Sequence, residues 1–351
     1  MNRRINATPK IPDEISPVTF QKLFIKKQDE GLGDKSWAEY FRYLTRDVSL
    51  DRTVNEVLHG ATRDNLAKMW MENFADNLDT IRYGKKLYEM KKITGPALVV
   101  GAGPSVQARQ HLPLLAEWVH NNPGTLCIVT TDRMLVPCLK AGINPDVVMT
   151  VDGDRKLIAK FYEDPILDKA SLIQGAALPI LVAPSTVKTI QEKGVEIYWF
   201  TPMLDSFDIA TNITKLLYWM TNGATAVLCG GNAGTGSWQV ARYLGATEVA
   251  LIGLDFGYLP GTPIEETAYY NTLKDQLKGS FDQIRTFYAD EFNPDFQTKA
   301  VTDIMFRHYR SGFIEMLDYV DTPTYNCTEG GILYGGKFKS MKLADWLKRH
   351  E

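Results

Sequence analysis

The chain has 351 residues, of which 44% are hydrophobic and 23% are charged, and its formal net charge is −3 at pH 7. This balance is typical of a globular protein with one large domain or two smaller ones. The small net charge gives no global attraction to nucleic acid or to an anionic membrane, so neither is expected as a partner. No apolar run has the length of a membrane span or a signal peptide, and we expect a cytoplasmic protein. The four cysteines are scattered without metal-ligand spacing, which predicts reduced thiols.

The first 92 residues predict an N-terminal arm and a helical region. Residues 1 to about 15 contain two prolines and no periodic pattern, which is typical of a loose arm. Aromatic and aliphatic side chains then recur at steps of three and four residues up to about Lys92, as in amphipathic helices. The last of these helices is expected to run from Trp70 to Leu87 and to lead into the first strand.

Strands and helices alternate after residue 93. The apolar runs predict strands at Ala97–Val100, Leu126–Thr130, Asp146–Val151, Ile180–Val182, Ile197–Phe200 and within 245–255. Between them, helical stretches are expected at 106–119 with a bend or restart at Pro113, and at 134–140, 208–220 and 238–244. Such alternation predicts an α/β fold with a doubly wound, Rossmann-like and mostly parallel sheet, whose nucleotide-binding core spans residues 93–258.

Residues 259–351 are expected to form a lid insertion and a C-terminal helical region that completes the core. The segment 259–296 is polar and aromatic with no clear strand, which suits a lid over a site. Helical periodicity returns at 301–316, and a short amphipathic helix from Leu343 to about Lys348 closes the chain.

The first strand breaks abruptly into a glycine turn, Gly101-Ala-Gly103-Pro104-Ser105. The carboxyl ends of strands are where open α/β sheets bind ligands, so the turn is a candidate phosphate site. A tight turn with no ligand is an equally good interpretation of two glycines alone. Pro104 and the absence of a third glycine at the required spacing argue against NAD or FAD. We predict that Gly101, Gly103, Pro104 and Ser105 contact a nucleotide.

A second glycine cluster, at 230–237, sits immediately before the helix expected from Trp238. Backbone N–H groups and the helix dipole favour an anion at such a place. The residues predicted to bind it are Asn232, Gly234, Thr235, Gly236 and Ser237. The cluster lacks the Gly-Lys-Ser/Thr ending of a P-loop. A glycine-lined close contact between helix and sheet is the alternative interpretation.

Acidic residues follow three of the predicted strands: Asp132, the pair Asp152 and Asp154, and Asp255. If these strands are neighbours in one parallel sheet, the carboxylates lie at the same edge as the Gly101 turn. There they can accept from ribose hydroxyls, and Asp152 with Asp154 can hold Mg²⁺ against phosphate oxygens. For each one, a helix cap or a turn aspartate is the alternative.

Two further residues are candidates for catalysis. His308 lies between arginines in a segment that can cover the site, and it is either a base or a surface histidine. Glu329 is followed by two glycines that let a substrate approach, and it is either an acceptor-activating base or a carboxylate bonded to its own turn.

Five motifs, taken in order, resemble known proteins: Gly95–Ser105, Ala141–Asp146 leading into Val151-Asp152, Gly231–Gly236, Tyr243–Tyr258 and Tyr325–Gly331. Over about residues 70 to 335 they resemble the core of the Maf flagellin glycosyltransferases and of the MptE-like 6-hydroxymethylpterin diphosphokinases. The Gly-Pro-Ser turn is also similar to that of bacterial sialyltransferases that use CMP-sialic acid.

The motifs divide between the two branches. Val151-Asp-Gly-Asp154 retains half of an Asp-Leu-Asp-Gly-Asp run of the diphosphokinases, but Gln174-Gly-Ala-Ala177 stands where they have His-Gly-Asp-Asn. Thr328-Glu-Gly-Gly331 and the long helix entering the first strand fit the Maf branch.

The resemblance implies a transferase with a nucleotide-activated donor, and first a glycosyltransferase that moves a CMP-activated nonulosonic acid to a protein or glycan. Glu329, Asp152 and His308 are then the candidate catalytic residues. The alternative is a 6-hydroxymethyl-7,8-dihydropterin pyrophosphokinase that uses ATP and Mg²⁺. A second alternative is a nucleotide-binding protein without catalysis.

Overall fold

The computed structural model describes residues 66–168, 174–204, 213–277 and 281–351. The predicted arm, the helices expected before residue 66, and the first part of the helix expected at 208–220 lie outside the described residues. Among the residues that are described, no helix is long and apolar enough to cross a membrane.

Nine of the strands in the described residues form one parallel sheet, and two more form an antiparallel hairpin. The strands are β1 (Ala97–Val100), β2 (Cys127–Thr131), β3 (Val147–Met149), β4 (Gly175–Pro179), β5 (Ile197–Pro202), β6 (Thr225–Val227), β7 (Val249–Ile252), β8 (Tyr288–Asn293), β9 (Thr298–Asp303), β10 (Thr324–Asn326) and β11 (Lys339–Ser340). The order in the sheet is β11-β10-β7-β1-β2-β3-β4-β5-β6, and β8 pairs with β9.

Helices connect the strands and cover the sheet. They are α1 (Lys68–Tyr83), α2 (Ser105–Ala108), α3 (His111–Asn121), α4 (Asp132–Lys140), α5 (Pro184–Glu192), α6 (Ile213–Met220), α7 (Ala233–Leu244), α8 (Tyr270–Leu277), α9 (Phe281–Arg285), α10 (Ile304–Asp318) and α11 (Leu343–Lys348). The α/β fold with a mostly parallel, doubly wound sheet is confirmed.

The sheet reverses its winding beside β1. From β1 to β6 each strand adds on one side, and β7 then returns to the other side of β1, where Val100 pairs with Ile252. Alternate residues of a strand face opposite sides of the sheet. Leu98 accordingly packs into the core formed with α3 and α11, whereas Val99 packs into the core formed with α7 and α10. Both faces of the sheet are therefore covered.

The fourth strand lies earlier than the apolar pattern predicts. The strand expected at Ile180–Val182 is wrong, because β4 is Gly175–Pro179 and residues 180–182 form a turn. All five residues of β4 are buried, yet its glycine and alanines are small and give a weak apolar signal. Ile180 and Val182 are also buried, but as part of the core under α1 and α5.

The region expected to hold only helices and loops contains strands. The expectation of no strand in 259–296 is wrong, because β8 pairs with β9 in an antiparallel hairpin of mainly polar residues. Such a strand has little apolar signal to detect. The C-terminal region also contributes β10 and β11 to the large sheet, and its final helix, Leu343–Lys348, is as expected.

The helices after the first two strands start earlier than expected. The helical stretch at 106–119 is split at Gln110, whose φ is +55°, so α3 restarts before Pro113. Helix α4 begins at Asp132, which places Pro137 beyond its first turn. Helix α4 follows directly on the carboxyl end of β2, whereas the Gly101 turn separates α2 from β1.

A buried lysine caps the end of α1. The Nζ of Lys86 donates to Ile81 O at 2.6 Å, to Gly84 O at 2.5 Å and to Arg82 O at 3.2 Å. The last carbonyls of a helix have no intrahelical partner and carry partial negative charge, so an ammonium group stabilises them. Burial lowers the pKa of Lys86.

We expect Lys86→Met to lower the free energy of unfolding by about 1.5–3 kcal/mol, since charged hydrogen bonds to buried carbonyls are lost. Urea denaturation measures this value. The neighbouring Lys85→Met is the control, because Lys85 makes a half-exposed ion pair with Glu196 at 2.9 Å and should change stability by about 0–1 kcal/mol. Equal losses for the two variants would contradict the capping role.

Candidate functional site

The glycines of the Gly101 turn allow β1 and β7 to meet closely at their ends. Gly253 has a φ of +68°, and a Cβ there would collide with Gly101 O. A Cβ at Gly101 would lie 2.6 Å from Leu254 Cδ1, and one at Gly103 would collide with the Asp255 carboxylate. These glycines therefore allow the close packing between the ends of β1 and β7.

Asp255 holds the Gly101 turn from the end of β7. Its carboxylate accepts from Ser105 Oγ at 2.8 Å and from Ser105 N at 3.2 Å, at the start of α2, which Pro104 precedes as the capping residue. Its backbone oxygen accepts from Ile332 N at 2.7 Å. Burial raises the pKa of Asp255 to about 7, although the bonds from Ser105 and the charge of Arg109 oppose the rise. The side chains of Asp255 and Ser105 are thus engaged with each other.

Glu329 is also engaged within the protein. It adopts a left-handed φ of +55°. Its Oε1 accepts from Leu343 N at 3.0 Å and lies 3.4 Å from Nε2 of the buried His111, and its backbone oxygen accepts from Arg109 Nε at 3.0 Å. Burial alone would raise the pKa of Glu329, but His111, Leu343 N and Arg109 together lower it. The geometry therefore favours the local role of this carboxylate.

Asp132 lies at the end of β2 and starts α4. Its Oδ2 accepts from Thr150 Oγ1 at 2.9 Å, its Oδ1 accepts from Arg133 N at 2.8 Å, and the Tyr162 hydroxyl lies 2.7 Å from Thr150 Oγ1. Only 6% of Asp132 is exposed. Burial raises its pKa to about 6, against the bonds from Thr150 and Arg133.

Asp152 is the accessible carboxylate of the group. Its Oδ1 accepts from Asp154 N at 3.1 Å, and the residue is exposed to solvent. The protein around it nevertheless removes enough water to raise its pKa. Asp152 is therefore the carboxylate at this edge that a solvent-borne ligand can reach.

Asp154 is turned toward its own segment. Its Oδ1 accepts from the backbone amides of Lys156 and Leu157. Among the described residues, no group of three or more His, Cys, Asp and Glu side chains is placed to hold a metal ion. The described donors do not form a metal site by themselves, and magnesium at Asp152 and Asp154 stays a prediction.

The second glycine cluster opens a helix instead of preceding it. Helix α7 begins at Ala233, five residues before the expected start, so Gly234 to Ser237 lie in its first turns. Asn232 Oδ1 accepts from Thr235 N at 2.8 Å, and Ser237 Oγ donates to Ala233 O at 2.8 Å. Thr235 and Ser237 are fully buried. Any anion here would therefore contact backbone N–H groups of the first turn more readily than these side chains.

The two glycine segments meet at Leu254. Its Cδ1 would lie 2.6 Å from a Cβ at Gly101 and 3.3 Å from one at Gly234. Two residues further along α7, a Cβ at Gly236 would lie 2.6 Å from Met149 Cε and 3.3 Å from Val151 Cγ2. The start of α7 therefore crosses the carboxyl ends of β7, β1 and β3 and comes close to the segment that carries Asp152.

A tyrosine of α10 covers this junction. A Cβ at Gly231 would lie 2.6 Å from Tyr309 Cε1, so the ring rests on the glycine. The Tyr309 hydroxyl lies 3.5 Å from that of Tyr269 in the lid segment. Burial is the largest cause of the raised pKa of Tyr309, and the charges of Asp303 and Asp152 add to it. The charge of Asp152 therefore reaches the Tyr309 hydroxyl.

His308, one residue earlier, is fully buried and packs edge-on to Tyr309, with ring centroids 6.0 Å apart. It is not a surface histidine, because none of its side chain is exposed. Consecutive helix residues point about 100° apart. Sequence reasoning missed Tyr309, and only the helical phase of α10 could have separated it from His308.

We expect Asp255→Asn to remove one pH dependence of stability. Because the folded pKa of Asp255, about 7, lies above the unfolded value, the protonated side chain stabilises the folded wild type at low pH. The free energy of unfolding of the wild type therefore declines as the pH rises from about 4 to 7, by up to about 1.4 kcal/mol per pH unit. Urea denaturation of both proteins across this range measures the difference between them. Asp318→Asn, at an exposed site, is the control. A constant difference between wild type and Asp255→Asn would contradict the raised pKa.

Residues 70–261, more than half of the chain, match the family described as 6-hydroxymethylpterin diphosphokinase MptE-like. The comparison with curated proteins gives no match. Among solved structures, the chain is similar to the Maf glycosyltransferase from Magnetospirillum magneticum AMB-1, with a TM-score of 0.51 and 15% sequence identity. That match covers 78% of this chain and 38% of the other, and at this identity it shows a shared fold.

The matched range contains both glycine segments, Asp132, Asp152 and Asp255. The similar fold extends over most of the chain. The resemblance found in the ordered motifs is confirmed by these two comparisons, and the chain belongs to the MptE-like family.

Proposed function

We propose that the chain is a glycosyltransferase that moves a CMP-activated nonulosonic acid to a hydroxyl group of a glycan or a protein. The observation that carries this proposal is the junction at Leu254, where the Gly101 turn and the start of α7 meet beside Asp152 and under Tyr309. Membership in a family described as a diphosphokinase and a fold shared with a Maf glycosyltransferase both support transfer from a nucleotide.

The donor would lie along the carboxyl edge of the sheet. The backbone N–H groups at the start of α7 and the positive end of its dipole would stabilise the donor phosphate, which gains charge as the sugar leaves. Arg133 is an exposed cation whose charge reaches both Asp132 and Asp152. It is placed to attract a second anionic group, such as the carboxylate of a nonulosonic acid.

Asp152 is the best candidate for the base among the carboxylates at this edge. The oxygens of Asp132 and Asp255 accept from buried neighbours, and Glu329 is held by His111 and Leu343 N. In the proposed step, Asp152 takes the proton of the acceptor hydroxyl, whose oxygen bonds to the anomeric carbon of the sugar. The bond from that carbon to the phosphate oxygen breaks, and CMP leaves.

The pyrophosphokinase alternative is favoured by the family description and by the Asp152-Gly-Asp154 run. It requires Mg²⁺ with ATP, and Asp152 is the residue that could reach such a metal from the protein. Since Asp154 Oδ1 already binds two backbone amides, most of the ligands would have to come from phosphates and water. A nucleotide-binding protein without catalysis is the second alternative.

We expect CMP and CMP-N-acetylneuraminate to raise the melting temperature of the protein, because a ligand that binds only the folded state stabilises it by about 2.7 kcal/mol at 100 times its Kd. A thermal-shift panel with CMP, CMP-N-acetylneuraminate, AMP, ATP, and ATP with Mg²⁺ makes the measurement. Stabilisation by ATP with Mg²⁺ and none by the cytidine compounds would favour the pyrophosphokinase. Stabilisation without release of product would favour the non-catalytic alternative.

We expect Asp152→Asn to lower the release of CMP from CMP-N-acetylneuraminate, with water as acceptor, by about 10²–10⁴-fold, as for loss of a general base. Chromatography of CMP measures the rate. Asp318→Asn, at the exposed ion pair with Lys337, controls for the loss of a carboxylate elsewhere. Full activity of Asp152→Asn together with an inactive Glu329→Gln would move the base to Glu329.

A further inference from the structure

Asn73 is a fully buried residue of α1 that makes three hydrogen bonds to segments at the carboxyl edge of the sheet. Its Nδ2 donates to Gly153 O at 2.8 Å and to Leu181 O at 3.0 Å. Its Oδ1 accepts from Arg155 Nε at 2.8 Å. Since only the amide nitrogen can donate and only its oxygen can accept, these partners fix the orientation of the side chain.

One of these bonds continues to Asp152 through a single peptide unit. The carbonyl of Gly153, which accepts from Asn73, and the N–H of Asp154 belong to the same planar group. That N–H donates to Asp152 Oδ1 at 3.1 Å. A bond at one end of the plane therefore restricts the direction of the N–H at the other end, and hydrogen bonds in such a chain polarise one another.

The turn that contains Gly153 is tightly packed. A Cβ at Gly153 would collide with Leu181 O and would lie 2.8 Å from Trp70 Cδ1. The peptide is thus packed between α1 on one side and the segment after β4 on the other. The bond from Asn73 is thus made within a tightly packed turn.

We propose that Asn73 is a positioning residue that sets the direction of the Asp152 carboxylate through the Gly153–Asp154 peptide. The inference deepens the proposed function and rests on the role given there to Asp152. It also makes α1, which precedes the sheet in the chain, a structural part of the candidate site.

Asn77 provides a matched control on the same helix. It lies one turn after Asn73, it is 3% exposed, and its Nδ2 donates to Val182 O at 2.8 Å. Its partner follows the same strand, β4, but it makes no bond to the turn that carries Asp152. Asn77→Ala therefore loses a similar buried hydrogen bond between α1 and the sheet edge without touching that turn.

The first test is hydrogen exchange of the Asp154 amide, followed by NMR in the ligand-free protein. We expect Asn73→Ala to speed this exchange at least about tenfold, because the peptide loses its anchor, and Asn77→Ala to leave it unchanged. Asn73→Ser, whose hydroxyl can still donate one bond, is the second variant in case the alanine variant does not fold. Wild-type exchange at Asp154 in a folded Asn73 variant would overturn the proposal.

The second test uses CMP release from CMP-N-acetylneuraminate. Asn73→Ala is expected to lower kcat by about 10–100-fold, as for other residues that orient a reacting group, with KM changed little. In the Asp152→Asn background the same substitution should have no further effect on kcat, whereas Asn77→Ala should act equally in both backgrounds. Equal effects of the Asn73 variant in both backgrounds would overturn the proposal.

These outcomes separate the inference from the proposed function. Wild-type activity in Asp152→Asn would overturn the catalytic role of Asp152. The exchange rate of Asp154 would still decide whether Asn73 holds the turn, because that measurement needs no substrate.

Discussion

The buried carboxylate of Asp255 is the interaction on which the carboxyl edge of the sheet depends. A carboxylate without water is costly unless donors surround it, and here both Ser105 donors come from the turn after β1. The backbone oxygen of Asp255 binds Ile332 N, which fixes the segment after β10 as well. Three neighbouring strands thus end in one bonded unit. This unit occupies the place where the winding reverses. The accessible carboxylate of the edge, Asp152, follows β3, which β1 and β2 separate from β7.

Much of this fold could be predicted because long aliphatic side chains mark central parallel strands. The apolar runs predict β1, β2, β5 and β7, and the rule that parallel strands end at one edge predicts that the aspartates lie together. The apolar pattern does not locate β4, because its small residues are buried without being strongly apolar, and it does not reveal β8, because β8 is polar. The hairpin gains its stability from pairing with β9 and from contacts such as Tyr258 with Val301, which periodicity does not record.

The sequence pattern does not predict whether each candidate side chain is already bonded or buried within the protein. Ser105 with Asp255 and His111 with Glu329 are pairs formed by residues that are far apart in the chain. Local pattern identifies a carboxylate at a strand end, but it cannot show whether a distant donor has already bound it. A shift of one residue along a helix matters equally, since it separates the fully buried His308 from the tyrosine that packs on Gly231.

The charges at the edge bear on the choice between the two transfer reactions. The charge of Asp152 raises the cost of ionising Asp132, that of Asp154 raises the cost of ionising Asp152, and the charge of Arg133 reaches both Asp132 and Asp152. A donor with one phosphate and one carboxylate brings little additional repulsion and can use the arginine and the start of α7. A triphosphate would place several negative charges beside these carboxylates and would need its own metal ions to approach them. This charge balance supports the proposed CMP-activated sugar over ATP as the donor.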